Sequence, residues 1–81
     1  MFIWNFRLIR VHNPGEKFYY TIGEVHYDED GKPTSWTEAC LLASSVKDMG
    51  WTLKKIEDGY NKPTLFYYSG PDILTDKEIK A

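Results

Sequence analysis

Three features of this sequence could take part in catalysis or metal binding. They are an acidic run, two histidines and one cysteine. Asp28, Glu29 and Asp30 form a carboxylate cluster directly before Gly31. An EF-hand calcium loop needs oxygen ligands at alternating positions over about twelve residues, with glycine at the sixth and glutamate at the twelfth. Here Gly31 follows the carboxylates at once, and the twelfth position counted from Asp28 is Ala39. The run therefore predicts a solvent-exposed turn without a metal site, because turns of this kind require Asp and Gly.

The histidines and the cysteine do not predict a catalytic centre either. If the chain forms a hairpin around residues 13–17, His12 stands opposite Phe18 and His26 stands opposite Trp4. About eight strand residues then separate the two histidines, or roughly 26 Å. The two imidazoles therefore cannot share a metal within one chain. Cys40 stands alone, so no intramolecular disulfide can form, and nothing beside it indicates the histidine that an activated thiol needs. We therefore expect no catalytic residue, no cofactor and no metal, and we expect that the protein is not an enzyme.

Length and composition indicate one small globular domain spanning residues 1–81. The chain is 42% hydrophobic and 16% aromatic, so its core can close without disulfides or a metal. Its formal net charge of −2 lacks the basic excess that phosphate binding requires, and nucleic acid is not the expected partner.

The opening run MFIWNFRLIR has no cleavage site, and no apolar run approaches the ~20 residues of a membrane span. These features predict a cytoplasmic protein without membrane contact.

Turn residues divide the first half of the chain into strands. Ile3–His12 and Phe18–Tyr27 are rich in β-branched and aromatic residues, and residues 13–17 between them contain Pro and Gly. The Asp-Gly pair that follows is a strong hairpin signal and leads to a third strand at Thr34–Ala39. The pattern predicts a three-stranded antiparallel meander. Thr64–Ser69 is a candidate fourth strand.

One helix is predicted between Val46 and Tyr60. Ser45 can cap its first turn, and Asp48 stands three residues later in the capping-box position. Its apolar residues follow the i, i+3, i+7 spacing of one buried face and are Val46, Met49, Leu53, Ile56 and Tyr60. The predicted fold class is therefore α+β, with this helix packed on one face of the meander. Residues 70–81 are expected to form a frayed tail or, from Thr75, a last helical turn.

The hairpin register divides the strand residues between two faces. We expect the helix to cover the face with the more contiguous large apolar side chains, which carries Trp4, Phe6, Leu8, Tyr20 and Ile22. One helix covers one face only. The C-terminal TLFYYS segment, a second copy of the chain, or a partner or ligand must then cover the other face. Its candidate partner surface consists of Arg7, Ile9, Tyr19, Val25 and Tyr27.

Several short runs carry a family resemblance: NFRLIR, EVHYDEDGKP, SWTE, and Lys62-Pro63 at the helix exit. Together they resemble a family of short uncharacterised bacterial proteins over about Asn5 to Leu65, whereas ACLLASSVKDMGW and Tyr67–Ala81 depart from it. The resemblance implies no activity. The order of strands and helix is also similar in layout to HicB-type antitoxin domains, which carry a small sheet with a helix on one face; this is a likeness of layout and not of motif.

These observations favour a non-enzymatic domain that acts by protein association through an aromatic sheet face or a sheet edge, as a homodimer or with another protein. The alternative is a small-molecule or nucleic-acid binding module that uses the same face. In that alternative Tyr19 and Tyr27 supply stacking surfaces and Arg7 supplies a charge.

Overall fold

The computed structural model describes residues 3–79, which form one helix and five strands. In chain order the elements are β1 (Ile3–His12), β2 (Tyr19–Tyr27), β3 (Pro33–Glu38), α1 (Val46–Tyr60), β4 (Leu65–Tyr68) and β5 (Ile73–Thr75). The predicted α+β class and the predicted bounds of the helix are confirmed. The first two residues of the opening run and the last two residues of the predicted tail lie outside the described residues.

The five strands form one sheet in the order β3-β2-β1-β4-β5. The first three strands form the predicted antiparallel meander, and Trp4 pairs with His26 as the predicted register requires. β4, the predicted fourth strand, runs parallel to β1 along its other edge, and β5 pairs antiparallel with β4. The predicted strand number was therefore too low, because β5 forms within the segment predicted as a tail.

The acidic run between β2 and β3 is a tight, exposed turn. The Asp28 carboxylate accepts the backbone N–H groups of Asp30 and Lys32, each over 2.9 Å. Gly31 has a φ of 79°, a left-handed conformation that glycine adopts at little cost. An Asp that accepts nearby N–H groups and a glycine with positive φ are the two parts of such a turn. The predicted turn is confirmed.

The hydrophobic core lies on the concave side of a curled sheet. Trp36 on β3 and Tyr67 on β4 are three strand spacings apart, which is about 14 Å in a flat sheet. Their ring centroids are only 5.3 Å apart, so the sheet curls until β3 comes close to the far strands. The side chains that this curl buries are Ile9, Val11, Val25 and Leu65.

The helix packs on the predicted hairpin face, where Phe6 is buried, but this main core lies on the opposite face. The prediction placed the core on the face with the contiguous large apolar residues, whereas the main core lies on the face that contains Gly23. A Cβ atom at Gly23 would lie 2.4 Å from Ile9 Cδ1 and 2.7 Å from Trp36 Cε3. The concave side of a curled sheet has little room, so it takes β-branched residues and a glycine at the point of closest approach. Trp4 and Phe6 of β1 and Tyr20 of β2 are left on the convex side.

Helix α1 packs on the convex side, near the start of β1. The Ser45 Oγ caps it by accepting the N–H of Asp48 over 3.1 Å, as predicted. Towards its other end Gly59 is buried, and a Cβ atom there would lie 1.8 Å from the carbonyl oxygen of Phe6. Helix backbone and strand backbone are therefore in direct contact. The residues of α1 with reduced exposure, which define its side towards the sheet, are Met49, Thr52, Ile56 and Gly59.

Candidate functional site

The residues predicted as a partner surface lie on the concave side of the sheet. Ile9 and Val25 are completely buried there, so neither can contact a partner, and their assignment to a partner surface is corrected. Tyr19 remains exposed at the end of the β1–β2 hairpin. The concave side is closed by the chain itself, with side chains from β3, β4 and β5, so the exposed surfaces that could bind a partner lie on the convex side and on α1.

Arg7 and Tyr27, the other two predicted surface residues, join the end of the helix to the sheet. Arg7 donates one hydrogen bond to Tyr27 Oη over 2.9 Å and a second to the Pro63 carbonyl oxygen. Tyr27 Oη in turn donates to Asn5 Oδ1 over 2.6 Å. Because Pro63 lies between α1 and β4, this network fixes the segment that leads into the parallel strand. We interpret both side chains as structural.

Helix α1 leaves much of its predicted buried face in solvent. Val46, Leu53 and Tyr60 are 91%, 53% and 59% exposed, so the prediction that Leu53 packs in the core is wrong. Seven residues of a helix complete almost two turns, and these three side chains therefore form one line along α1. We call this line the apolar stripe. An amphipathic helix normally turns such a line towards the core, whereas here it lies on an exposed flank of the helix.

A cleft opens on another side of α1, between the helix and the start of β1. Its volume is about 390 Å³, and its main lining side chains are Trp4, Phe6, Trp51, Lys55, Asp58 and Lys62. Trp4 packs edge-on against Phe6 with ring centroids 5.3 Å apart. The Lys55 ammonium lies 5.4 Å from the centroid of the Trp51 ring. We call this feature the aromatic cleft.

Sequence reasoning missed the aromatic cleft, although part of its signal was present. Trp51 and Lys55 are four residues apart, which places them on one side of the helix, and Lys62 follows two residues after its end. The second indole comes from Trp4, far away in the sequence. Only the tertiary packing of α1 on β1 brings Trp4 to the same cleft as Trp51.

The convex side of the sheet carries a second aromatic group beyond the reach of the helix. His12 stacks on Tyr68 with ring centroids 4.6 Å apart, and the Arg10 guanidinium lies 3.6 Å from the centroid of Phe18. Arg10 also pairs with Glu78 over 3.4 Å, so an acidic neighbour balances its charge. We call these residues, together with exposed Tyr20, the outer-face cluster.

One ionisable group of the curled sheet has a shifted pKa. Tyr67 Oη donates a hydrogen bond to Asp72 Oδ1 over 2.7 Å. This bond raises the pKa of Tyr67 above its ordinary value, and partial burial and the negative charge of Asp72 raise it further. The bond links β4 to the turn before β5 and is not part of either exposed surface.

The remaining residues singled out for chemistry stay apart. His12 and His26 lie at opposite ends of the β1–β2 hairpin, as predicted. Cys40 is free and exposed in the segment between β3 and α1. Between Ile3 and Ile79, no group of three or more His, Cys, Asp or Glu side chains is placed to hold a metal ion. Over the same range, no helix is both long and apolar enough to span a bilayer.

Comparison with known proteins identifies no relative of this chain. No family model, no curated protein and no solved structure matches the chain. The resemblance drawn from its short motifs therefore stays a prediction.

Proposed function

We propose that this chain is a non-enzymatic association domain and that a second copy of the chain docks on its apolar stripe. The observation that carries the proposal is the exposure of Val46, Leu53 and Tyr60 on a helix whose sheet contact uses other residues. Large apolar side chains that group on an exposed surface are a feature of protein–protein interaction sites. The sheet-face association expected from the sequence thus becomes a helix-face association.

The stripe is complementary to itself when two copies of α1 pack antiparallel about a two-fold axis at Leu53. In that arrangement each Leu53 faces its own copy, and Val46 faces the larger Tyr60 of the second copy. A two-fold interface must match a surface with itself, and small residues opposite large ones satisfy that condition.

The size of the surface also supports a second copy. The accessible area is 6116 Å² for a mass of 9.5 kDa, whereas a compact monomer of that mass exposes about 5,000 Å². The radius of gyration is 13.5 Å, against about 12 Å expected for this length. A standard protein interface removes about 800 Å² from each partner. The exposed area is thus larger than that of a compact monomer of this mass, which is compatible with a surface that docks a second copy.

Sedimentation velocity over about a hundredfold range of protein concentration tests the proposal. We expect the native chain to pass from monomer to dimer, and Leu53→Gln to weaken dimerisation about tenfold or more, because it places two polar groups at the axis. Lys54→Gln is the matched control: it introduces the same side chain one residue away from the stripe and should leave dimerisation unchanged. A native chain that stays monomeric throughout, or equal weakening by the two variants, would refute the proposal.

The alternative function is a small-molecule or nucleic-acid binding module. The outer-face cluster supports it, since exposed aromatic rings with a nearby guanidinium are the parts on which single-stranded bases stack. The Arg10–Glu78 pair and the net charge of −2 oppose it. Salt separates the two functions: apolar self-association should not weaken as salt rises, whereas binding of a single-stranded oligonucleotide should weaken steeply.

A further inference from the structure

We propose that the aromatic cleft binds a small planar aromatic acid, with the ring between the indoles and the carboxylate towards the lysines. This proposal does not depend on the self-association proposed above. Three features of the cleft support this proposal: its apolar walls, its positively charged rim and its fixed floor.

The walls of the cleft are two large flat surfaces that the protein leaves open. Trp4 is 46% exposed and Trp51 is 58% exposed, and both line the same 390 Å³ space. Tryptophan offers the largest apolar area of any side chain and stacks well on other rings. The volume lies near the lower end of the range of about 300–1,000 Å³ found for ligand sites. The cleft therefore fits a ligand of one or two rings.

The charged side chains that line the cleft favour a negatively charged ligand. Lys55 and Lys62 contribute two cations to the lining, and Asp58 contributes one carboxylate. Among residues 3–79 the single ion pair within 4.0 Å joins Arg10 to Glu78, so within this range neither Lys55 nor Lys62 has an ion-pair partner at that distance. Aromatic clefts often hold cations over their rings. Here the Lys55 ammonium already occupies that position over Trp51, and a second cation would be repelled.

The floor of the cleft is held in place by backbone contact. The close approach of Gly59 to the Phe6 carbonyl sets the separation of α1 and β1, and the edge-on contact of Trp4 with Phe6 orients the first indole. A site whose walls are positioned before the ligand arrives costs less ordering on binding. The cleft and the apolar stripe also lie on different sides of α1, since residues 51 and 55 are turned by about 160° from residue 53 at 100° per residue.

Amide and indole NMR signals during a titration with 2-naphthoate test the site. The three tryptophans supply an internal comparison, because Trp36 lies inside the curled sheet and away from the cleft. We expect saturable shifts of the Trp4 and Trp51 indole N–H signals and none at Trp36. The neutral 2-naphthamide, of the same shape, should bind more weakly. Equal shifts at all three indoles, or no saturable shift at Trp4 and Trp51, would overturn the proposal.

Lys55→Met tests the charge, because it keeps the length of the side chain and removes its ammonium. It should weaken 2-naphthoate binding about two- to fivefold, the range of an exposed ion pair, and leave 2-naphthamide binding unchanged. Lys54→Met removes the same charge from the next residue, outside the cleft lining, and is the control. If Lys54→Met and Lys55→Met act alike on 2-naphthoate, the cleft does not select the anion, and the proposal fails. Sedimentation of Lys55→Met separately reports whether self-association is intact.

Discussion

At the scale of single residues, the hydrogen bond from Tyr67 to Asp72 predicts a pH effect. It raises the pKa of Tyr67, so the folded protein holds the phenolic proton more tightly than the unfolded chain. A raised pKa stabilises the fold fully below the unfolded value of about 10 and loses that effect as pH rises through the folded value. Asp72→Asn should lower the pKa of Tyr67 towards its ordinary value, as measured by the ¹³Cζ shift of labelled tyrosine against pH.

Asp76→Asn is the control for this titration, because it removes a carboxylate four residues further along the chain, whereas Tyr67 donates its hydrogen bond to Asp72. It should leave the midpoint of Tyr67 in place. An unchanged midpoint in Asp72→Asn would mean that the hydrogen bond does not control this phenol.

At the scale of elements, two glycines of α1 predict opposite responses to one chemical change. A Cβ atom at Gly50 meets nothing within 4 Å, so Gly50→Ala should stabilise the protein by about 0.5–1 kcal/mol through helix propensity. At Gly59 the same atom would meet the Phe6 carbonyl oxygen at 1.8 Å, and backbone cannot rotate away as a side chain can. Gly59→Ala should destabilise by about 1–3 kcal/mol or more. Urea unfolding measures both, and a shift of the same sign in both variants would contradict the packing of α1 on β1.

At the scale of the whole molecule, the position of the core predicts which apolar truncation is costly. Ile9 is completely buried by the curl of the sheet, and Leu53 is more than half exposed. Ile9→Ala should therefore cost about 2–5 kcal/mol, a large part of the stability of so small a domain. Leu53→Ala should cost less than about 1 kcal/mol at concentrations where the monomer dominates. Thermal and urea unfolding measure both losses. A larger loss of unfolding free energy for Leu53→Ala than for Ile9→Ala would indicate that the main core lies on the face predicted from the sequence.

Short-range signals in the sequence were sufficient for several elements. The β1–β2 register, the Asp28 turn and the bounds of α1 with its Ser45 cap all match the prediction. In each case the determining groups lie within a few residues of one another, so the local chain carries the whole signal. The sequence also contained the line of Val46, Leu53 and Tyr60, although it did not reveal that this line would face solvent.

Tertiary structure alone decided which side of the sheet is buried and where a site can form. The curl brings Trp36 next to Tyr67 and requires Gly23 where Ile9 and Trp36 meet, so the face interrupted by a glycine became the core. The same packing placed Trp4 beside Trp51 and left the apolar stripe uncovered. These outcomes depend on contacts between residues far apart in the chain. Periodicity within one strand or helix defines its faces, but the curvature of the assembled sheet determines which face is enclosed.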